Sequence, residues 1–131
     1  DTFGENDTRI KILNQIKNNY LKNKNIKMSP GKQTIDISHI DAISDGFINL
    51  IFNKKTNKHS KRTFFASTQN RLTLKKLITK CEKILKKDLN IKWGKLNYRK
   101  NVIMHPIKFK QNQNICKREK LDLRLKNFLI N

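Results

Sequence analysis

Apolar side chains recur along this chain in short bursts, several of them opened by a polar residue able to cap a helix. Asp7 precedes Ile10, Leu13, Ile16, Tyr20 and Leu21, spaced to share one helical face. That spacing predicts an amphipathic helix running from the capping carboxylate to the polar stretch 22–25. Ile26 to Met28 reads as a short strand, broken by Ser29-Pro30-Gly31. In 33–37, Ile35 and Ile37 alternate with polar neighbours and predict a second extended piece. Asp41 is placed to cap a helix carrying Ile43, Phe47, Ile48, Leu50, Ile51 and Phe52, enough apolar residues to bury more than one side. The polar stretch 53–61 predicts a disordered loop. Thr63, Phe64 and Phe65 predict a strand over 62–67. Thr73 caps a third helix with Leu74, Leu77, Ile78, Cys81 and Leu85 on one face. Ile91-Lys92-Trp93 is a further strand, 94–115 is irregular, and Leu121, Leu125, Phe128 and Leu129 mark a last helix over 121–129.

Helices alternating with short strands give an α/β order, although the strands are too few for a free-standing parallel sheet. As an isolated piece the chain therefore reads as α+β. Its 131 residues make one domain at most, and 36% apolar residues make a thin core. No internal repeat is visible. Four glycines in the whole chain, none in a Gly-rich strand-to-helix turn, exclude an isolated dinucleotide-binding domain.

Charge changes the picture next. Thirty Lys and Arg against ten Asp and Glu leave +20, which favours phosphate-bearing partners. A small basic nucleic-acid-binding protein is the first such reading. Against it, the lysines are scattered along the chain, and no RNP-like, zinc-finger or basic-zipper pattern interleaves them with aromatics. Lys, Asn and Ile together are also what adenine- and thymine-rich codons supply. Cys81 and Cys116 stand alone, without disulfide or metal-ligand spacing, which fits a reduced, cytoplasmic setting. No apolar run is long enough to cross a bilayer, so no membrane partner is expected. No signal peptide opens the chain, and Asp1 starts in mid-motif, as in a fragment.

Candidate chemistry is sparse. His39, His59 and His105 lie far apart; Asp36 and Asp41 flank His39 and could orient it, or Asp41 could simply cap a helix beside a turn-facing His39. No nucleophile motif or metal set appears, so the chain offers no catalytic residues of its own. Anion binding is better served. Thr8, Arg9 and Lys11 sit where a helix would begin and its free N–H groups favour a phosphate. Arg99, beside Tyr98 in the irregular segment, has a guanidinium fork that suits two phosphate oxygens.

Three segments in order carry a family resemblance. Phe3-Gly4-Glu5-Asn6-Asp7 resembles the Tyr/Phe-Gly-Pro-x-Asp turn of the extended short-chain dehydrogenase/reductases, with Glu5 in place of Pro. Gly31, Gln33 and Asp36 match that family's Gly-x-Gln-x-x-Asp strand, and Ile40-Asp41-Ala42 resembles its Ile/Val-Asp-Asp helix start. Tyr98-Arg99 matches a closing loop with a phosphate-binding Arg, and Met28-Ser29-Pro30-Gly31 resembles the branch near CDP-hexose reductases and epimerases. Two departures stand out: Ile35 replaces an Arg common before the strand Asp, and the usual Gly-Trp-x-Pro ahead of the last helix is absent.

The resemblance implies that residues 1–131 are the C-terminal, substrate-binding part of an NAD-dependent nucleotide-sugar epimerase, dehydratase or reductase, truncated of its N-terminal Rossmann half. It implies a nucleotide diphosphate hexose as ligand and a place in surface-polysaccharide biosynthesis. Arg9 and Lys11 would neighbour the diphosphate or base, Lys27, Met28 and Ser29 would line the base, and Arg99 would grip the diphosphate. NAD or NADP would belong to the full-length enzyme, with none held by this chain alone. The family's catalytic Tyr-x-x-x-Lys is not here, since Tyr20 and Tyr98 lie outside such a motif. The chain would therefore be inactive by itself.

Overall fold

A computed structural model of the chain describes residues 1–52 and 63–130. The loop expected at 53–61, and the first residue of the strand expected at 62–67, lie outside the described residues. In chain order the elements are β1 (Thr2–Phe3), α1 (Ile12–Tyr20), β2 (Ile26–Lys27), β3 (Thr34–Asp36), β4 (Ser38–His39) and α2 (Ile40–Phe52). There follow β5 (Arg71–Thr73), α3 (Leu74–Leu85), β6 (Ile91–Lys92), a 3-10 turn at Gln111–Gln113 and α4 (Leu121–Ile130). The result is a mixed α/β fold with four α-helices among the described residues.

The strands form three separate pairs. β1 runs parallel to β4, β2 runs parallel to β6, and β3 runs antiparallel to β5 with Asp36 opposite Arg71. No pair grows into a wider sheet among the described residues, which matches the shortage of strands in the sequence.

The helices supply the core. Leu77, Ile78 and Cys81 of α3 are buried with Leu125, Phe128 and Leu129 of α4, and Leu13 and Ile16 of α1 join them. Phe3 reaches the same cluster and meets the Phe128 ring edge-on, with centroids 5.6 Å apart. The helical period of these residues puts each set on one face, and burying such faces together is what stabilises helices of this length. Thr73 caps α3 as expected, its hydroxyl accepting from the Lys76 N–H at 3.2 Å. At the other end Lys86 takes a left-handed conformation, and its N–H donates to the Glu82 carbonyl.

Several sequence expectations need correction. Asp7 does not cap α1: the N-cap position is Lys11, and the Asp7 carboxylate is taken up by Arg9. Ile10 and Leu21 therefore fall outside the helix and stand exposed. Asp41 does not cap α2, because the helix starts one residue before it. The His39 ring does so instead, Nδ1 accepting from the Asp41 N–H at 3.3 Å. His39 is buried rather than turn-facing. The strand expected at 62–67 contracts to a bridge between Phe65 and Asn114, while β5 was not foreseen. Trp93 stands just past β6.

Candidate functional site: a basic cleft between the first helix and the closing loop

The site begins at β2. Lys27 is its last residue, and Met28 continues the pairing by donating its N–H to the Lys92 carbonyl at 3.1 Å. Ser29, Pro30 and Gly31 then turn the chain, with Gly31 at φ +74. The segment after β6 folds back over this turn. Leu96 donates its N–H to the Met28 carbonyl at 3.2 Å, and the Tyr98 hydroxyl accepts from the Lys32 N–H at 3.1 Å. Lower down, the Thr34 N–H donates to the Met104 carbonyl at 2.8 Å. These bonds hold the irregular segment in place and position Arg99 opposite the start of α1.

A cleft of about 460 Å³ lies between these parts. Lys11, Lys27, Met28, Ser29 and Arg99 all line it, with Gln33, Ile35, Leu74 and Tyr98 among its other walls. Five of the six residues expected from the sequence are thus brought together from three separate segments. Arg9 is not among them. It lines a neighbouring cleft beyond Ile10, where its Nε meets Asp7 Oδ1 at 2.7 Å and a second guanidinium nitrogen meets Oδ2 at 2.8 Å.

Charge within the cleft is lightly compensated. Lys27 and Arg99 are exposed, and no ion pair to either occurs among the described residues. Lys11 is more enclosed, its ammonium donating to the Thr2 carbonyl at 2.8 Å with Asp1 and Asp7 further off. Burial, then the neighbouring Arg9 charge, lowers its pKa from the ordinary lysine value. Gln33 adds a feature missed in the sequence: its amide nitrogen reaches Ser29 Oγ at 3.4 Å, while its Oε1 is buried without a partner among the described residues. An acceptor left in that state costs about 1–3 kcal/mol until a donor reaches it.

Arg71 is a residue the sequence did not single out. Its Nε bonds Asp36 Oδ2 at 2.9 Å, and it also donates to the Ile107 carbonyl at 2.7 Å. The alternation of Arg71, Leu72 and Thr73, ending on the cap of α3, was the available signal. Arg71 lines a second, more apolar cleft that shares Asp1, Ile35 and Ile103 with the basic one.

His39 is enclosed between Glu5, whose carboxylate is 3.1 Å from Nε2, and Asp41, whose carboxylate is 3.3 Å from Nδ1. The Asp41 backbone N–H donates to Nδ1, and Asp36 does not reach the ring, being held by Arg71 and Ser67. These contacts tie the β1 loop to α2, and the imidazole lines neither the basic nor the apolar cleft.

No family model matches the chain. Over 105 residues, 80% of the chain, it is 28% identical to the CDP-abequose synthase of Yersinia pseudotuberculosis, of which the match covers 36%. Among solved structures, a UDP-N-acetylglucosamine 4-epimerase from Methanobrevibacter ruminantium, in complex with UDP-N-acetylmuramic acid, superimposes with a TM-score of 0.76. It is 16% identical, and the match covers 99% of this chain and 43% of that one. The fold is that of part of a short-chain dehydrogenase/reductase epimerase. A UDP-glucuronic acid 4-epimerase from Bacillus cereus, solved with NAD, agrees at a TM-score of 0.70 and 17% identity, the match covering 98% of this chain and 42% of that one. The chain thus spans less than half the length of these relatives.

A nicotinamide cofactor finds no cradle among the described residues. A pyrophosphate on a strand-to-helix turn needs glycines that leave room for it. Here a Cβ on Gly4, Gly31 or Gly46 would meet Ile40, Trp93 or Cys116 respectively, while one on Gly94 would meet nothing within 4 Å; Gly94 follows β6 in the irregular segment and does not open a helix. No helix is long and apolar enough to cross a membrane among the described residues.

Proposed function

We propose that this chain is the substrate-binding part of a nucleotide-sugar epimerase, dehydratase or reductase, and that its basic cleft binds a nucleotide diphosphate hexose. Residues 1–131 act as one substrate-side unit, without catalysis of their own. Arg99 grips the diphosphate, Lys11 and Lys27 add charge around it, and the backbone of Lys27, Met28 and Ser29 meets the base. Arg9, held by Asp7, shapes the turn ahead of α1 from the neighbouring cleft. Gln33 offers its buried carbonyl to a donor on the ligand.

The observation that carries this reading is the convergence of Lys11, Lys27, Met28, Ser29 and Arg99 on one cleft. A guanidinium grips two phosphate oxygens in one geometry, whereas scattered surface lysines do not.

Titration calorimetry with CDP, UDP and inorganic pyrophosphate tests it. A nucleoside diphosphate should bind more tightly than pyrophosphate, because the base contacts add to the charge contacts. Arg99→Ala should weaken nucleotide binding about tenfold or more, the loss expected for a charge-assisted pair. Equal affinity for both ligands, or an Arg99→Ala chain that binds unchanged, would refute the assignment.

A further inference from the structure

His39 takes no part in the nucleotide cleft, yet both of its ring nitrogens are engaged. The ring is 2% exposed and stands edge-on to Phe3, with centroids 5.2 Å apart. From the loop after β1, Glu5 Oε2 comes within 3.1 Å of Nε2. From the start of α2, Asp41 brings two groups to Nδ1, its backbone N–H at 3.3 Å and its carboxylate oxygen Oδ2 at 3.3 Å. The Arg124 guanidinium of α4 divides its charge between that same Oδ2, at 3.1 Å, and Glu119 Oε2, at 3.3 Å. Glu119 closes the circuit, since its Oε1 accepts from the His39 backbone N–H at 2.8 Å. Among the described residues, Glu5, Asp41, Glu119 and Arg124 are thus the charged groups that reach His39 or its partners, from the β1 loop, α2, the segment before α4 and α4 itself.

Nδ1 cannot serve both of its partners at once. Without a proton it offers a lone pair, which accepts from the Asp41 N–H and caps α2. In that form the Asp41 carboxylate faces a lone pair and belongs to Arg124, while Nε2 carries the ring's hydrogen and donates it to Glu5. With a second proton both nitrogens are donors. Nδ1 then turns from the N–H to the carboxylate oxygen at the same distance, and Nε2 makes a charge-assisted bond to Glu5. Water cannot solvate the new charge in so enclosed a place, so the two carboxylates must answer it. Their side chains are 55% and 57% exposed, and a proton reaches the ring through either.

We propose that His39 is a proton-operated latch between the β1 loop and α2. Bare at Nδ1, it holds the first turn of α2. Protonated, it releases that turn and clamps Glu5 and Asp41 on either side of the ring. The new ion pairs offset the lost cap, so the fold persists in both states while the start of α2 changes. The latch uses no residue that lines the nucleotide cleft, and its test reads neither nucleotide binding nor activity.

Nitrogen NMR of the 131-residue chain between about pH 5 and 8, the range in which imidazoles ordinarily change charge, decides it. At the alkaline end the His39 ring should carry its hydrogen on Nε2, with Nδ1 bare. As the ring gains its second proton, the hydrogen-exchange protection of the Asp41 amide, corrected for the intrinsic rate at each pH, should fall about tenfold or more with the same midpoint. The α3 amides should keep theirs. His39→Gln still offers Glu5 a donor but gains no proton, so its Asp41 amide should be constant across the range. His105→Gln, which alters a histidine outside the latch, should leave the response intact. A hydrogen on Nδ1 at the alkaline end would overturn the proposal, as would an Asp41 amide whose protection ignores the ring, or a ring that keeps one charge state throughout. A response that persists in His39→Gln would do the same. The parent chain alone supplies the ring and amide readings, so the outcome is decided even where His39→Gln does not fold.

Discussion

The Trp93 ring fills the space that a side chain at Gly31 would need: a Cβ there would come within 2.9 Å of the ring carbon Cε3 and closer still to Cζ3. Gly31 also sits at φ +74, where any other L-residue is strained. Two requirements thus meet at the turn that shapes the basic cleft. We expect Gly31→Ala to destabilise the fold by about 2 kcal/mol or more, from left-handed backbone strain plus displacement of the ring. Trp93 is the sole tryptophan, so its emission reports the displacement directly. Thermal unfolding of Gly31→Ala within a degree of the parent, with unchanged emission, would refute this account.

The Asp7–Arg9 pair sets an acid limit on the turn ahead of α1. The Arg9 guanidinium, bonded to both carboxylate oxygens, holds the Asp7 pKa down to about 2. An Asp in an unfolded chain titrates near pH ~3.9. Because the folded value is the lower one, the pair's contribution is fully present above about pH 4 and is lost as pH falls toward 2. Carbon-detected titration of the Asp7 carboxyl should give a midpoint near 2, and Arg9→Gln should return it toward the ordinary range. A midpoint unchanged by Arg9→Gln would show that the arginine is not the cause.

Much of the helical architecture was legible because it is written in short-range spacing. Leu74, Leu77, Ile78 and Cys81 fall at helical intervals behind Thr73, and all four are buried behind that cap. The convergence of Lys11, Lys27, Met28, Ser29 and Arg99 on one cleft was anticipated from the resemblance of separate motifs in a given chain order, not from local spacing. What escaped depends on long-range contacts. Asp7 has a capping residue's chemistry, but a nearby guanidinium competes for its carboxylate and wins with two hydrogen bonds. His39 caps α2 because burial beside Glu5 and Asp41 aims its ring at the helix start. The Arg71–Asp36 pairing needs the register of β3 against β5, which no local pattern states.

Both thiols should be inert while the chain is folded. Burial, with the Glu82 charge adding to it, pushes Cys81 up to about 12, and burial likewise raises Cys116. The thiolate is the reactive form, so neither presents a nucleophile at neutral pH. Reaction with a disulfide reagent should be slow in buffer and release two equivalents promptly in denaturant. Fast reaction of one thiol in buffer would mean that α3, or the packing of Cys116 against Gly46, opens locally.

Bulk positive charge and the cleft predict different responses to salt. The described acidic side chains are largely engaged, Asp36 by Arg71, Asp122 by Lys80, and Glu119 and Asp41 by Arg124, so many lysines remain uncompensated. Duplex DNA should therefore bind at low salt through diffuse contacts, and that binding should fall steeply between about 50 and 200 mM salt. A nucleoside diphosphate held by Arg99 and by base contacts should lose much less over the same range, because fewer counterions are released and part of its affinity is not ionic. Parallel titrations of both ligands give the two slopes. Sequence-selective DNA binding that persists at physiological salt, with nucleotide binding absent, would reverse the assignment and make the lysines, not the cleft, the functional feature.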